Sequence, residues 1–357
     1  MKRILHIVGN MAPDGMSNFL MNIYRNIDRT RMQFDFIVMG EKPDNYHETI
    51  RQMGGKVYKV TRMSKNPWKY YSEIRDIIRE NHYDIVFRQT DTATVAIDLL
   101  AAKRGGATVR IPHSHSTNAV HPFFHKMLRP LLVNLSTDRY ACSKQAGEWM
   151  FGKASFQVVY NGIDLDRYSY HPEIRREKRQ EWNVLDKLVF GHIGNFFYPK
   201  NHKFLLEIFA EIAKKREDAV LFLIGSGELQ EEIEKQVTEL GLQKKVIFTG
   251  TRNDIYDMVQ MLDCLIFPSI YEGLPITLVE AQAAGVPCLI SDVITDEIAL
   301  TELIHKLSLQ DEADKWADLA VRLATECRES EDRENRIEVL QNAGYALDDL
   351  AKRYERL

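Results

Sequence analysis

The chain has 357 residues, of which 45% are hydrophobic and 27% charged, and its formal net charge is −4 at pH 7. This length exceeds one typical core and suits two α/β domains, while the composition is that of an ordinary globular protein. No apolar run approaches the roughly 18–20 residues of a membrane span. The four cysteines lack a CxxC pair, which predicts free thiols in a reducing cytosol.

The charge is unevenly distributed along the chain. Residues 1–170 contain 24 Lys and Arg against 16 Asp and Glu, a balance of +8, whereas residues 171–357 contain 23 against 35, a balance of −12. This asymmetry predicts that the first half faces an anionic partner, although chance and solubility explain it equally well.

Strand and helix patterns alternate through the first 165 residues. The predicted strands are Lys2–Val8, Phe34–Met39, Val57–Val60, Asp84–Phe87, Val109–Pro112, Asp138–Ala141 and Phe156–Val159. Helical spacing begins near Ser17 and Ile50 and covers Tyr70–Glu80 and Thr94–Lys103. This alternation is typical of a doubly wound parallel sheet.

The stretch Leu165–Asp186 interrupts this alternation with a charged run, Arg175–Arg179, and predicts a connection with a lead-in helix. A second α/β series follows, with strands at 188–193, 220–224, 246–248, 264–267 and 288–290 and helices at 203–216 and 228–240. We therefore expect one domain over residues 1–165, a second over 186–339, and a polar helix at about 340–357. Ligands of such sheets bind beyond the carboxyl ends of the strands.

The most informative motif lies between Phe267 and Pro287. A buried strand ends at Phe267, and Gly273 and Leu274 then bring backbone amides to a helix N-terminus, which favours an anion. Glu272 and Glu280 stand eight residues apart across this turn, so both can face one ligand. By spacing alone, a helix cap and a solvated helix residue explain the two carboxylates equally well.

This segment resembles the E-x7-E signature of retaining glycosyltransferases of family four, which have the GT-B fold. Tyr271–Pro275, Glu280 and Ala284–Pro287 carry the resemblance. It implies an α/β architecture of two Rossmann-like domains facing each other across a cleft, with the terminal helix returning to the first domain. It also implies that Glu272 holds sugar hydroxyls, Glu280 holds ribose hydroxyls, and the amides of Gly273 and Leu274 contact phosphate and sugar.

Other segments resemble further landmarks of this family. Lys200 stands where a lysine stabilises the leaving nucleoside diphosphate, while Asn195 replaces the usual arginine and brings no charge. Gly225 and Gly227 occupy the place of a glycine turn near the donor. Thr251 and Arg252 resemble the loop that holds the nucleotide base, although Arg252 is equally well explained as a surface residue.

In the first half, Gly15 follows the first strand at a position that implies close approach of the backbone to a diphosphate. Asp14 replaces the first of two glycines usual in the family, and Ser17 is predicted to cap the helix. His113 and His115 follow a strand where the family has a histidine beside the donor sugar. We favour His113 without excluding His115. A metal site is the weaker explanation of this pair, because the sequence places no third ligand.

The resemblance implies a metal-independent, cofactor-free glycosyltransferase of bacterial exopolysaccharide or capsule synthesis. The expected donor is a nucleotide sugar, most simply UDP-linked, and the expected acceptor is a saccharide or lipid-linked saccharide; no nucleic-acid partner is expected. Two alternatives remain: a GT-B-fold sugar-nucleotide epimerase, and a nucleotide-sugar-binding protein that has lost catalysis, which the Asn195 and Asp14 departures favour.

Residues 121–135 contain an apolar stripe, Phe123, Phe124, Met127, Leu128 and Leu131, beside Lys126 and Arg129. If exposed, such a stripe would lie in a membrane interface, which predicts a cytoplasmic protein in peripheral contact with the inner face of the membrane. The commoner explanation is a core helix, because apolar helical stripes usually face a core.

Overall fold

The computed structural model describes residues 1–12, 14–40, 45–116, 121–330, 333 and 336–357. The described chain packs as two compact units: Met1–Ile163 with Ala346–Leu357, and Asp164–Tyr345. Each unit contains one sheet in which all the recorded strand pairs are parallel. Among the described helices, none combines the length and apolar character that a membrane crossing requires.

The strands are β1 (Lys2–Val8), β2 (Met32–Val38), β3 (Val57–Lys59), β4 (Ile85–Thr90), β5 (Val109–Ser114), β6 (Tyr140–Ala141), β7 (Gln157–Val158), β8 (Leu188–Ile193), β9 (Ala219–Ile224), β10 (Val246–Gly250), β11 (Cys264–Phe267), β12 (Cys288–Ser291) and β13 (Ile304–Leu307). The first sheet has the order β3-β2-β1-β4-β5-β6-β7 and the second has the order β10-β9-β8-β11-β12-β13.

The helices are α1 (Gly15–Asn26), α2 (His47–Gln52), α3 (Pro67–Glu80), α4 (Ala96–Gly105), α5 (Pro122–Leu135), α6 (Lys144–Phe151), α7 (Leu165–Tyr168), α8 (Pro172–Glu181), α9 (His202–Lys215), α10 (Gln230–Glu239), α11 (Ile255–Met258), α12 (Ile276–Ala283), α13 (Ala313–Glu329), α14 (Ile337–Asn342) and α15 (Leu347–Glu355). Short 3₁₀ turns link several of them.

The first sheet is covered on both faces, as the central strand β1 shows. Ile4 and Val8 belong to one core cluster, whereas the alternating residues Leu5 and Ile7 belong to another. Because both faces are buried, such a strand is a nearly continuous apolar run, which is why its position could be predicted from the sequence.

The C-terminal residues form two short helices, not the single helix predicted over about 340–357. Gly344 lies between α14 and α15 with a φ of 92°, in the left-handed region that favours glycine. Helix α14 belongs to the second unit and α15 to the first. Tyr354 of α15 is wholly buried in the first core, where its ring stacks on Phe87 with centroids 5.1 Å apart.

The stretch 165–186, predicted as a connection with a lead-in helix, forms the short helix α7 and the helix α8, both within the second unit. The carboxylate of Asp263, with no exposed surface, accepts hydrogen bonds from Arg175 and Arg179 of α8 and from the Val189 amide of β8. This buried cluster fixes α8 to the amino-terminal ends of β8 and β11. Strand β13 was not predicted, because its four residues, Ile-His-Lys-Leu, lack a continuous apolar run.

Candidate functional site

The candidate donor site lies at the carboxyl edge of the second sheet. The strands β10, β9, β8 and β11 are neighbours in that order and run parallel, so the loops that follow them emerge at the same edge. These loops contain most of the predicted donor residues, namely Asn195, Lys200, Gly225, Gly227, Thr251, Arg252, Glu272, Gly273 and Leu274.

Lys200 and Glu272 form an ion pair at this edge. The Nζ atom of Lys200 donates a hydrogen bond of 2.7 Å to Oε1 of Glu272, and it lies 4.7 Å from the centre of the Phe267 ring. The two side chains are only 20% and 13% exposed. Lys200 retains two N–H donors, so a phosphate and a hydroxyl could bind side by side at the pair. The sequence predicted a separate role for each of these two residues, whereas the hydrogen bond between them was not predicted.

Glu280 has a tyrosine partner that sequence analysis also missed. The hydroxyl of Tyr168 donates to Oε1 of Glu280 over 2.6 Å, from 112 positions earlier in the chain. Burial raises the pKa of Glu280, whereas the hydrogen bond from Tyr168 lowers it. The residue as a whole keeps part of its surface exposed. The sequence indicated only that Tyr168 lies in an irregular stretch.

The loop before α12 offers unpaired backbone donors. In the part of the chain that the structure describes, the N–H groups of Gly273 and Leu274 have no acceptor. Helix α12 begins after Pro275 without a side-chain cap. Free N–H groups at a helix N-terminus suit an anion. A Cβ atom on Gly273 would meet nothing within 4 Å, so packing does not require glycine there.

Gly225 and Gly227 have a packing role that needs no ligand. A Cβ atom would lie 2.1 Å from the Gly194 carbonyl oxygen at Gly225, and 2.6 Å from that of Phe196 at Gly227. The amide of Phe196 donates to the Ser226 carbonyl over 2.9 Å, which ties the two loops together. These glycines therefore permit the loop of Lys200 to adopt its position, and their predicted contact with the donor stays a prediction.

The remaining predicted residues of this edge differ in their freedom to bind a ligand. Asn195 is exposed. The hydroxyls of Thr251 and Ser226 are 2.9 Å apart. Arg252 donates to Asp254 through Nε at 2.7 Å and Nη2 at 2.6 Å, and this pairing holds the pKa of Asp254 well below its usual range. The guanidinium of Arg252 is thus engaged, and the predicted contact of this loop with the nucleotide base stays a prediction.

In the first unit, the helix cap differs from the prediction. The carboxylate of Asp14 accepts from the Ser17 amide over 2.8 Å and caps α1, whereas the Ser17 hydroxyl is buried and has no partner among the described residues. The expected capping by Ser17 is therefore wrong. Because Asp14 replaces a glycine, a carboxylate lies at the N-terminus of α1. A diphosphate bound at Gly15 would have to approach this negative charge. The phosphate contact of Gly15 stays a prediction.

The two candidate histidines differ in accessibility. His113 lies in β5 with no exposed surface, and its ring contacts those of Phe19 and His115. His115 is partly exposed, and its Nε2 lies 2.7 Å from Oε1 of Gln89. An amide oxygen can only accept, so the proton of His115 resides on Nε2 and Nδ1 is left as an acceptor. Burial lowers the pKa of His115 to about 4. His115 is therefore the accessible member of the pair, although we favoured His113, and the role of either histidine beside the donor sugar stays a prediction.

Within the described ranges, no group of three or more His, Cys, Asp or Glu side chains is arranged to hold a metal ion. All four cysteines are free, and burial raises the pKa of Cys264 and Cys288. These two thiols therefore stay protonated and serve as small apolar core residues.

Comparison with known families matches both halves of the chain. Residues 174–338 match the family model described as Glycosyl transferases group 1. Residues 13–167 match the model described as Glycosyltransferase Family 4. The two models together cover the predicted donor loops and the histidine pair.

Individual relatives agree with these matches. EpsF from Bacillus subtilis strain 168, named as a glycosyltransferase, is 34% identical over 96% of this chain and 93% of its own length. An Escherichia coli UDP-Gal:α-D-GlcNAc-diphosphoundecaprenol α-1,3-galactosyltransferase is 26% identical over 61% of this chain and 60% of its own. HepE of Anabaena, solved in complex with UDP, is 20% identical with a TM-score of 0.77 over 100% of this chain and 99% of its own. The predicted GT-B fold is confirmed.

Proposed function

The chain belongs to the family 4 glycosyltransferases, with the GT-B fold, of polysaccharide biosynthesis, and on this basis we propose that it is a retaining, metal-independent enzyme. Its donor is a UDP-linked sugar, and its acceptor is a saccharide or a lipid-linked saccharide. The observation that carries the proposal is the Lys200–Glu272 ion pair next to the amides of Gly273 and Leu274, which have no acceptor among the described residues. A cation and free N–H groups at one sheet edge suit a diphosphate.

Each residue at this edge has a role in the proposed reaction. Lys200 neutralises the charge that grows on the departing diphosphate, where such preorganised charge contributes most to catalysis. Glu272 accepts from hydroxyls of the transferred sugar, and Glu280 accepts from the ribose. The bond between the anomeric carbon and the diphosphate oxygen breaks while the acceptor oxygen bonds to that carbon on the same face. The acceptor proton passes to the departing diphosphate, so no protein nucleophile is needed.

The named relatives support the donor and acceptor classes. HepE of Anabaena has also been solved in complex with UDP-glucose. The Escherichia coli relative carries UDP-Gal in its name, together with a diphosphoundecaprenol-linked acceptor. The epimerase and the inactive binding protein find no such support among these comparisons.

The lipid-linked acceptor gains support from the exposed face of α5. Phe123, Phe124, Met127 and Leu131 are 73%, 51%, 55% and 44% exposed, so a core helix is the wrong explanation for these four side chains. Only Leu128 of the stripe packs against the core. An exposed apolar patch of this kind marks an interaction surface.

The charge around α5 suits an anionic membrane. Residues 99–163 contain eight Lys and Arg but only two acidic residues, Asp138 and Glu148. Lys126 is exposed beside the aromatic side chains, where each basic residue adds attraction to anionic headgroups. We therefore include peripheral membrane contact through α5 in the proposal.

Transfer from a panel of UDP- and GDP-sugars tests the function. UDP release should require an acceptor, and the product should keep the donor's anomeric configuration by NMR. Release of a free epimerised sugar without acceptor would favour the epimerase, and binding without turnover would favour the inactive protein. Inversion of configuration would contradict the retaining mechanism.

Sedimentation with phosphatidylglycerol vesicles tests the membrane contact. Binding should occur at low salt, fall as salt rises, and weaken in Phe123→Ser/Phe124→Ser and in Lys126→Glu/Arg129→Glu. Trp68→Ala is the matched control, because Trp68 is 82% exposed on α3 of the same unit but lies outside the α5 face. If the wild type fails to sediment at every salt concentration, the membrane contact is wrong and a soluble saccharide acceptor is favoured.

A further inference from the structure

The hydrogen bond from Tyr168 to Glu280 has no part in the roles assigned above. It is 2.6 Å long and joins α7 to α12. In the described chain it is the single side-chain hydrogen bond that Glu280 receives, so Oε2 is left without a side-chain donor. A carboxylate held by one oxygen presents the other in a defined direction.

We propose that Tyr168 is a positioning residue for the donor: its hydroxyl orients the Glu280 carboxylate so that the free oxygen accepts from the ribose hydroxyls. This inference rests on the proposed function, because it requires a nucleotide at Glu280. Tyr168 itself makes no contact with the donor in this arrangement. Preorganising a ligand-binding group in this way reduces the cost of ordering it on binding.

A buried amide holds the backbone at Tyr168 and in the three residues that follow it. Gln260 has no exposed surface, and its Nε2 donates to the carbonyl of Ser169 over 2.7 Å and to that of Tyr168 over 3.4 Å. Its Oε1 accepts from the His171 amide over 3.1 Å. The tyrosine ring also meets Tyr256 edge-on, with centroids 6.4 Å apart. The hydroxyl is therefore placed by the packed interior of the second unit.

The turn that contains Gln260 is itself anchored by the buried ion cluster of α8. Arg175 donates through Nη1 to the carbonyls of Gln260 and Leu262, each at 3.0 Å. Arg179 donates through Nε to the carbonyl of Met261 at 3.1 Å. Both guanidinium groups pair with Asp263, so a continuous set of hydrogen bonds runs from this cluster to the carboxylate of Glu280.

The hydrogen bond also affects the charge of Glu280. Burial raises its pKa, and the bond from Tyr168 opposes this rise. The elements packed most extensively against α12 are α7, α14 and β12. Their titratable side chains, with the α7 cap, are Asp164, Asp166, Arg167, Tyr168, Glu338 and Cys288. Of these, Tyr168 alone hydrogen-bonds to the carboxylate, and its own pKa is raised far above neutrality by burial, so it remains a proton donor.

Calorimetric titration of the full chain with UDP and with 2′-deoxy-UDP tests the inference. Tyr168→Phe keeps the ring but removes the hydroxyl, and it should weaken UDP binding about tenfold. Tyr170→Phe is the matched control: its ring lies 4.9 Å from the Arg333 guanidinium and is retained in the variant, so binding should not change. The wild type should bind 2′-deoxy-UDP about tenfold more weakly than UDP. In Tyr168→Phe the difference in affinity between the two nucleotides should be much smaller, because the Tyr168 hydroxyl and the ribose 2′-hydroxyl act through one carboxylate.

The pH dependence gives a second measurement. A carboxylate with a raised pKa loses its charge as the pH falls through that pKa, and removing the opposing hydrogen bond raises it further. UDP binding to Tyr168→Phe should therefore weaken at a higher pH than binding to the wild type. When Glu280→Gln is also present, no carboxylate titrates at position 280, so UDP binding should have the same pH dependence with and without Tyr168→Phe.

The outcomes separate this inference from the proposed function. If the wild type binds UDP and Tyr168→Phe binds it equally well or more tightly, the positioning role is wrong while the donor site stands. Additive losses from Tyr168→Phe and 2′-deoxy-UDP would likewise overturn the role. If the wild type binds no UDP, the proposed donor fails, and this inference fails with it. Melting temperatures of the variants show that each is folded.

Discussion

Replacing Lys200 by methionine should reduce sugar transfer strongly while leaving the fold intact. The ammonium makes one hydrogen bond to Glu272 and retains two donors for the diphosphate. Each charge-assisted hydrogen bond contributes about 1.5–3 kcal/mol. Losing one contact that forms with the departing diphosphate should therefore lower kcat/KM between about tenfold and about 150-fold, at about 1.36 kcal/mol per tenfold change.

Steady-state rates with the donor found in the sugar panel provide the measurement. Lys203→Met is the matched control, since Lys203 is an exposed lysine three positions along the chain, on α9. A double-mutant cycle tests whether the ion pair acts as a unit. If it does, kcat/KM of the double variant should be little lower than that of Lys200→Met or Glu272→Gln alone. Wild-type kcat/KM in Lys200→Met, or equal losses in Lys200→Met and Lys203→Met, would refute the assignment of the ammonium to the leaving group.

Four further predictions follow from the two units. Glu280→Ala should lose at least tenfold in kcat/KM through weaker donor binding, since a charge-assisted hydrogen bond is removed; unchanged donor KM would contradict this role. His115→Ala should lower kcat/KM, whereas His113→Ala should mainly lower the melting temperature because it opens a cavity; the reverse pattern would return the role to His113. Asn195→Arg should strengthen UDP binding, as measured by calorimetry, by adding a cation beside the diphosphate. EDTA should leave the rate unchanged, and a loss restored by Mg²⁺ would overturn the metal-independent mechanism.

The architecture could be predicted from sequence because its cause is local. A parallel strand covered on both faces must be apolar at nearly every position, as β9 and β11 are, and such runs are visible without knowledge of their neighbours. Motif spacing across one turn likewise placed Glu272 and Glu280 on opposite sides of the loop before α12. The cap at Asp14 is also a local feature, because Asp is a preferred N-cap residue. The sequence therefore allowed its prediction, although Asp14 was interpreted only as the replacement of a family glycine.

The partners of the site residues were decided by tertiary structure. Lys200 and Glu272 are 72 positions apart, and they meet because β8 and β11 are adjacent in the sheet although β9 and β10 intervene in the chain. Tyr168 reaches Glu280 because the buried amide of Gln260 fixes the segment that follows α7. Local sequence patterns report which face of an element is buried, whereas strand order and side-chain exposure depend on how distant elements pack. For that reason, the sequence predicted both members of the histidine pair, and the structure identified His115 as the accessible one.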